Sequence, residues 1–120
     1  MVYMFPYTVF VVDDEPSMAE TQMLILRRFS YNAIAFTNPL KALEAAGELK
    51  PDLLLSDYRM PQMDGVNLAD RIQQLCPACK VLVITGAIGH ICGRAGERFE
   101  FLEKPIAPLD LVAKIGATLS

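Results

Sequence analysis

Residues 52–65 read DLLLSDYRMPQMDG, an apolar run that stops at an acid, Asp57, and then breaks into a loop punctuated by Pro61 and the pair Asp64–Gly65. Short apolar runs bounded by turn residues are the pattern of strands covered on both faces. Two similar runs lie on either side, so the pattern predicts strands at Tyr7–Val12 (YTVFVV), Asp52–Ser56 (DLLLS) and Lys80–Thr85 (KVLVIT). Weaker candidates are Ala33–Thr37 (AIAFT) and Phe99–Leu102 (FEFL).

Between these runs the apolar period changes to that of a helix. Pro16–Phe29 places Met18, Thr21, Leu24, Ile25 and Phe29 at helical spacing, with Pro16 where a first-turn proline is tolerated. Pro39–Leu49 offers Leu40, Leu43, Ala46 and Leu49; Val66–Leu75 offers Val66, Leu68, Ala69, Ile72 and Leu75. Ile106–Leu119 closes the chain with Leu109, Val112, Ala113 and Ile115. Regular alternation of strand and helix implies an α/β fold, with a parallel sheet, right-handed crossovers and helices on both faces. Gly86, Gly89, Gly93 and Gly96 crowd the stretch where a further crossover helix belongs. Each interior glycine costs about 1 kcal/mol of helix propensity against alanine, so that helix is expected to be shortened or irregular.

The bulk numbers set bounds. A chain of 120 residues suits one domain spanning 1–120. At 52% hydrophobic and 21% charged residues, a packed core is feasible and disorder is not expected. No apolar run reaches the ~18 residues of a membrane span. The opening MVYMFPYTVFVVDDEP has no basic start and no small-residue cleavage site, which argues against a signal peptide and for a cytoplasmic protein. A net charge of −3 without a basic block gives no support for direct nucleic-acid binding. Three cysteines, Cys76, Cys79 and Cys92, fit a reduced compartment better than a disulfide scaffold.

Function enters where the polar residues fall. Asp13 and Asp14 end the first strand, Asp57 the third and Thr85 the fourth, while Lys104 follows the fifth. Open α/β sheets bind ligands beyond the carboxyl ends of their strands. Clustered carboxylates repel unless a cation joins them, and oxygen ligands suit a hard ion such as Mg²⁺. Aspartate is ordinarily ionised near neutral pH, so Asp57 is placed to attack phosphorus while Mg²⁺ and Lys104 stabilise charge on the transferring group.

These pieces resemble the response-regulator receiver family of two-component signalling. VVDDEP, LLLSDYRMPQMDG, VLVITG and FEFLEKP occur in family order and near-family spacing over essentially the whole chain. The resemblance implies a flavodoxin-like (βα)₅ fold with sheet order 2-1-3-4-5. It implies Asp57 as phosphoacceptor, Asp14 as a direct Mg²⁺ ligand, Asp13 acting through water, and the backbone carbonyl of Arg59 as a further ligand. It assigns Thr85 to hydrogen-bond the phosphoryl oxygen, Lys104 to pair with it, and Phe101 to rotate as Thr85 moves. Pro61 and Asp64–Gly65 shape the loop, Pro105 matches a cis-proline position, and Arg59 and Ala87 match positions that tune phosphoryl lifetime. The implied partners are a histidine kinase or histidine phosphotransfer protein, and a downstream protein or fused output domain. Two departures stand out. The stretch from Thr85 to Lys104 is shorter than usual, which puts standard dimerisation through that face in doubt. The loop SYNAIAF lacks the usual glycine, so Asn32 is expected in the left-handed position.

Blander readings exist for each part. An Asp-Asp pair alone is commonly a helix cap or solvated loop, Thr85 simple strand propensity, Lys104 a surface lysine, and Phe101 plain core. Only their order together promotes them. Cys76-Pro-Ala-Cys79 closes a helix before a strand, whereas a redox CxxC opens one; zinc would need Cys92 and His90 from the far side of the next strand. The glycine run lacks the GK[ST] ending of a phosphate loop. A receiver-like binding module that works without phosphorylation would lack an acid, the threonine or the lysine, and none is missing. A phosphohydrolase of the haloacid-dehalogenase type would carry an acid where Arg59 stands.

Overall fold

The computed structural model describes residues 6–86 and 98–120. Strands β1 (Thr8–Val12), β2 (Asn32–Phe36), β3 (Leu53–Asp57), β4 (Lys80–Thr85) and β5 (Glu100–Glu103) form one sheet in the order β2-β1-β3-β4-β5. Every pairing is parallel. Helices α1 (Pro16–Arg28), α2 (Pro39–Leu49), α3 (Gly65–Leu75) and α4 (Pro108–Leu119) complete the described elements. The expected flavodoxin-like order is therefore present. The shortened crossover helix, with Ala87, His90 and Cys92, lies outside the described residues. No helix among the described residues is long and apolar enough to cross a membrane.

Strand residues alternate between two apolar layers, as side chains on a pleated backbone must. Val9, Val11, Leu53, Leu55, Leu82 and Ile84 point to the side covered by Leu26 of α1 and Leu111 and Ile115 of α4. Phe10, Val12, Leu54, Val81 and Val83 point to the side covered by α2 and α3, through Ala42, Ala46, Leu68, Ala69 and Ile72. Both faces are thus shielded, and the runs read as continuously apolar for that reason.

The helices begin where the sequence caps them. The Asn38 side-chain oxygen accepts from the Leu40 amide at 2.9 Å, and an Asp64 carboxylate oxygen accepts from the Asn67 amide at 2.8 Å. Prolines 16, 39 and 108 occupy first-turn positions, where a missing amide leaves no bond unmade.

Three expectations need correction. The sheet-facing residues of α1 are Ala19 and Leu26, while Met18, Leu24 and Phe29 are exposed. In α2 the buried residues are Pro39, Ala42 and Ala46, with Leu40 and Leu49 exposed. Leu75 and Leu109 likewise lie outside. In α2 alanines face the sheet, and Leu40 and Leu49 fall on the flanks. Second, α4 starts at Pro108 rather than at Ile106, because Ala107 is extended. Third, the left-handed residue after α1 is Ser30, with φ 70°, and not Asn32. The Tyr31 amide reaches back to the Leu26 carbonyl at 3.2 Å, which closes the helix with Ser30 in the turn. Asn32 is already in β2, its amide bonded to the Tyr7 carbonyl.

Candidate functional site

Parallel register brings the polar residues together. Val12 pairs with Ser56, Asp57 with Ile84, and Thr85 with Glu103. The residue that leaves each strand therefore emerges at the same edge of the sheet, beyond its carboxyl end. The Lys104 amide donates to the Thr85 carbonyl at 2.8 Å, which extends this alignment past β5. The Lys104–Pro105 peptide is cis, at the position where the resemblance implies a cis-proline.

Carboxylate oxygens of Asp13, Asp14 and Asp57 lie within 4.8 Å of one another. Asp13 is buried, Asp14 exposed and Asp57 between the two. The Lys104 ammonium sits 2.9 Å from Asp57 Oδ1. Asp57, Arg59, Thr85, Gly86 and Lys104 line a cavity of about 220 Å³. Thr85 is buried, and among the described residues no buried side-chain nitrogen or oxygen lacks a hydrogen-bond partner. Phe101 stands apart, half-buried on β5, and does not line that cavity.

Electrostatics at this edge are unbalanced. Burial pushes the Asp13 carboxyl above its ordinary range; the charges of Asp57 and Asp14 push the same way, and the Glu15 amide and Lys104 pull back less strongly. For Lys104, burial acts downward, yet the hydrogen bond to Asp57 and the charges of all three acids outweigh it and hold the ammonium above its usual value. Three carboxylates face one ammonium, so negative charge is in excess. A hard divalent cation with oxygen ligands fits such a donor set, and Mg²⁺ typically takes one or two carboxylates with waters and a phosphate oxygen.

The site rests on contacts that carry no sequence signal of their own. A Cβ at Gly65 would lie 2.4 Å from the Asp57 carbonyl oxygen, so α3 begins pressed against the acid's backbone. Ser56, fully buried, donates from its hydroxyl to that same carbonyl at 2.9 Å. Tyr58 is held from both sides, its amide donating to the Ile84 carbonyl at 2.8 Å and its carbonyl accepting from the Gly65 amide at 2.7 Å. In the sequence Ser56 reads only as the end of a strand, and Tyr58 only as the residue after the acid.

The cysteine motif is elsewhere. Cys76 follows α3 and Cys79 precedes β4, both buried and free, at the opposite end of the sheet. Burial, aided by the charges of Cys76 and Asp52, pushes the Cys79 thiol up to about 12. An inert structural thiol is the reading this supports.

The family model described as response regulator receiver domain matches residues 9–116. The chain is 31% identical over 113 residues to the DNA-binding response regulator MtrA of Mycolicibacterium smegmatis, covering 92% of this chain and 50% of that protein. It is 32% identical over 115 residues to the DNA-binding transcriptional regulator NtrC of Escherichia coli, covering 93% of this chain and 24% of that one. The chain thus spans half or less of these relatives. Among solved structures, an uncharacterised protein from Neptuniibacter caesariensis superposes with a TM-score of 0.86 at 33% identity, covering 94% of this chain and 87% of that one. A CheY-like receiver domain from Methanospirillum hungatei gives 0.85 at 22% identity, covering 95% and 94%, and shares the fold. A match that runs from β1 into α4 takes in every strand of the sheet, and the chain belongs to the response regulator receiver domain family.

Proposed function

We propose that the chain is a phosphoacceptor switch of two-component signalling, with Asp57 as the acceptor. The observation that supports this most directly is the Lys104 ammonium 2.9 Å from Asp57 Oδ1, beside the carboxylate group of Asp13, Asp14 and Asp57. Asp14, Asp57, the Arg59 carbonyl and, through water, Asp13 would hold Mg²⁺. When bound, the ion neutralises charge on the phosphoryl oxygens and the attacking carboxylate. A carboxylate oxygen of Asp57 attacks phosphorus, and the P–N bond of a partner's phosphohistidine breaks. The electron pair of that bond returns to the imidazole nitrogen, which is reprotonated from solvent. Lys104 pairs with the transferred group, and Thr85 donates its hydroxyl to a phosphoryl oxygen. Positioning and charge stabilisation account for most of the rate in such transfers.

The donor is a histidine kinase or histidine phosphotransfer protein, with small phosphodonors reacting slowly. The chain is a self-phosphorylating and dephosphorylating switch in the cytoplasm, not a turnover enzyme. Residues 1–120 form one receiver, and the output is a downstream protein or a fused domain; the names MtrA and NtrC carry in the comparisons support an output on DNA outside this segment.

With acetyl phosphate and Mg²⁺, intact-mass measurement should show a gain of about 80 Da, one phosphoryl group. The gain should vanish in Asp57→Ala. An adduct that persists in that variant removes Asp57 as the acceptor.

A further inference from the structure

Tyr58 meets three parts of the site at once. It follows Asp57 in the chain, and its amide is bonded to Ile84, the residue before Thr85. Its ring stands edge-on to Phe101, with centroids 6.1 Å apart and planes at 79°. Phe101 lies on β5 opposite Val83, and both rings pack at the margin of the apolar layer beneath α2 and α3. The Tyr58 backbone is pinned by hydrogen bonds from β4 and from the start of α3. These two bonds fix the backbone from which the Tyr58 ring projects, and the ring meets Phe101 edge-on.

We propose that Tyr58 is a positioning residue that holds Phe101 in its unphosphorylated arrangement and thereby sets how readily the switch responds. This rests on the phosphoacceptor reading above. An edge-to-face aromatic pair contributes beyond its buried area, by an amount equivalent to about a fivefold change in an equilibrium constant. A contact made in only one of two states biases the equilibrium by that differential strength and no more. Rotation of Phe101 on phosphorylation would forfeit the contact, so weakening it should ease the transition.

The test is a titration of the 120-residue chain with beryllium fluoride, a mimic of an aspartyl phosphate, at saturating Mg²⁺. The Leu102 amide resonance reports the transition, and urea unfolding is measured alongside. Tyr58→Leu and Phe101→Leu should each reach half-conversion at roughly fivefold lower probe concentration than the parent chain. The double variant should go no lower than either single one, and Tyr58→Phe should match the parent. Additive effects of the two leucine variants overturn the pairing. So does a fall in urea midpoint with no change in half-conversion, which is the mark of plain packing. A parent chain that never responds to the probe overturns the phosphoacceptor reading itself, which separates the two failures. Should Tyr58→Leu not fold, Tyr58→Met applies the same test with an unbranched side chain.

Discussion

At Gly65 the nearest obstacle to a side chain is the backbone of Asp57, 2.4 Å from where a Cβ would stand, with the Ser56 hydroxyl at 3.2 Å. Neither can swing aside, because one is main chain and the other is fully buried. Gly65→Ala should therefore displace the tip of β3, destabilise the fold by about 1–3 kcal/mol in urea, and reduce phosphoryl uptake. An unchanged urea midpoint would contradict the close approach. Asp13 behaves oppositely. Its carboxyl is buried beside two other acids, so Asp13→Asn should stabilise the metal-free fold by about 1 kcal/mol while weakening Mg²⁺ binding; a lower urea midpoint would argue against charge crowding. With the Cys79 thiol pushed up to about 12, roughly one in ten thousand is ionised at pH 8. Iodoacetamide should leave Cys79 unlabelled in the native chain and label it in urea, as read by peptide mass. At this scale the gathering of Asp13, Asp14, Asp57 and Lys104 was legible in the sequence, since their order at successive strand ends places them at one edge although each alone has an ordinary structural use. Ser56 and Tyr58 were not, because what matters about them is a contact across the sheet, and that depends on register rather than on residue type.

Among the elements, the strands could be read from sequence to within a residue or so at each end; β1, β3 and β4 are clearest because burial on both faces makes them continuously apolar, while the edge strands β2 and β5 are less buried and gave the weaker signals. Helix faces were legible in part: Ala46, Leu68, Ala69, Ile72 and Ile115 are buried as their spacing predicts, whereas the buried Ala19, Leu26, Ala42 and Leu111 fell outside the predicted faces. Alanine contributes little to an apolar period weighted by size. Ser30 in the left-handed position shows a similar limit: which residue turns is decided by where the helix runs out of partners, and serine has no strong preference that announces it. The start of α2 at Pro39 matches the span read from the sequence, and the Asn38 cap before it is a finding of the structure. Asn38→Ala, which removes the acceptor for the Leu40 amide, should cost about 1 kcal/mol in urea unfolding. A loss near zero would mean water caps the helix equally well.

For the whole molecule, a ligand that binds only the folded state raises stability by mass action. Mg²⁺ at ten times its dissociation constant should add about 1.4 kcal/mol to unfolding, and Asp14→Ala should abolish the increment. EDTA should remove the increment from the parent chain, whereas the urea midpoint of Asp14→Ala should be the same with Mg²⁺ or with EDTA. The two apolar layers share no side chains. Tyr58 and Phe101 belong to the side of α2 and α3, whereas α1 and α4 are joined to the other, with α4 reaching β5 through the exposed Lys114–Glu100 ion pair. The sheet is then a bulkhead between two compartments. A ring that turned on one side would meet its own layer directly and would reach the other only through the strands between them. Partners that clasp opposite sides of this receiver would accordingly hear the same chemical event at different volumes.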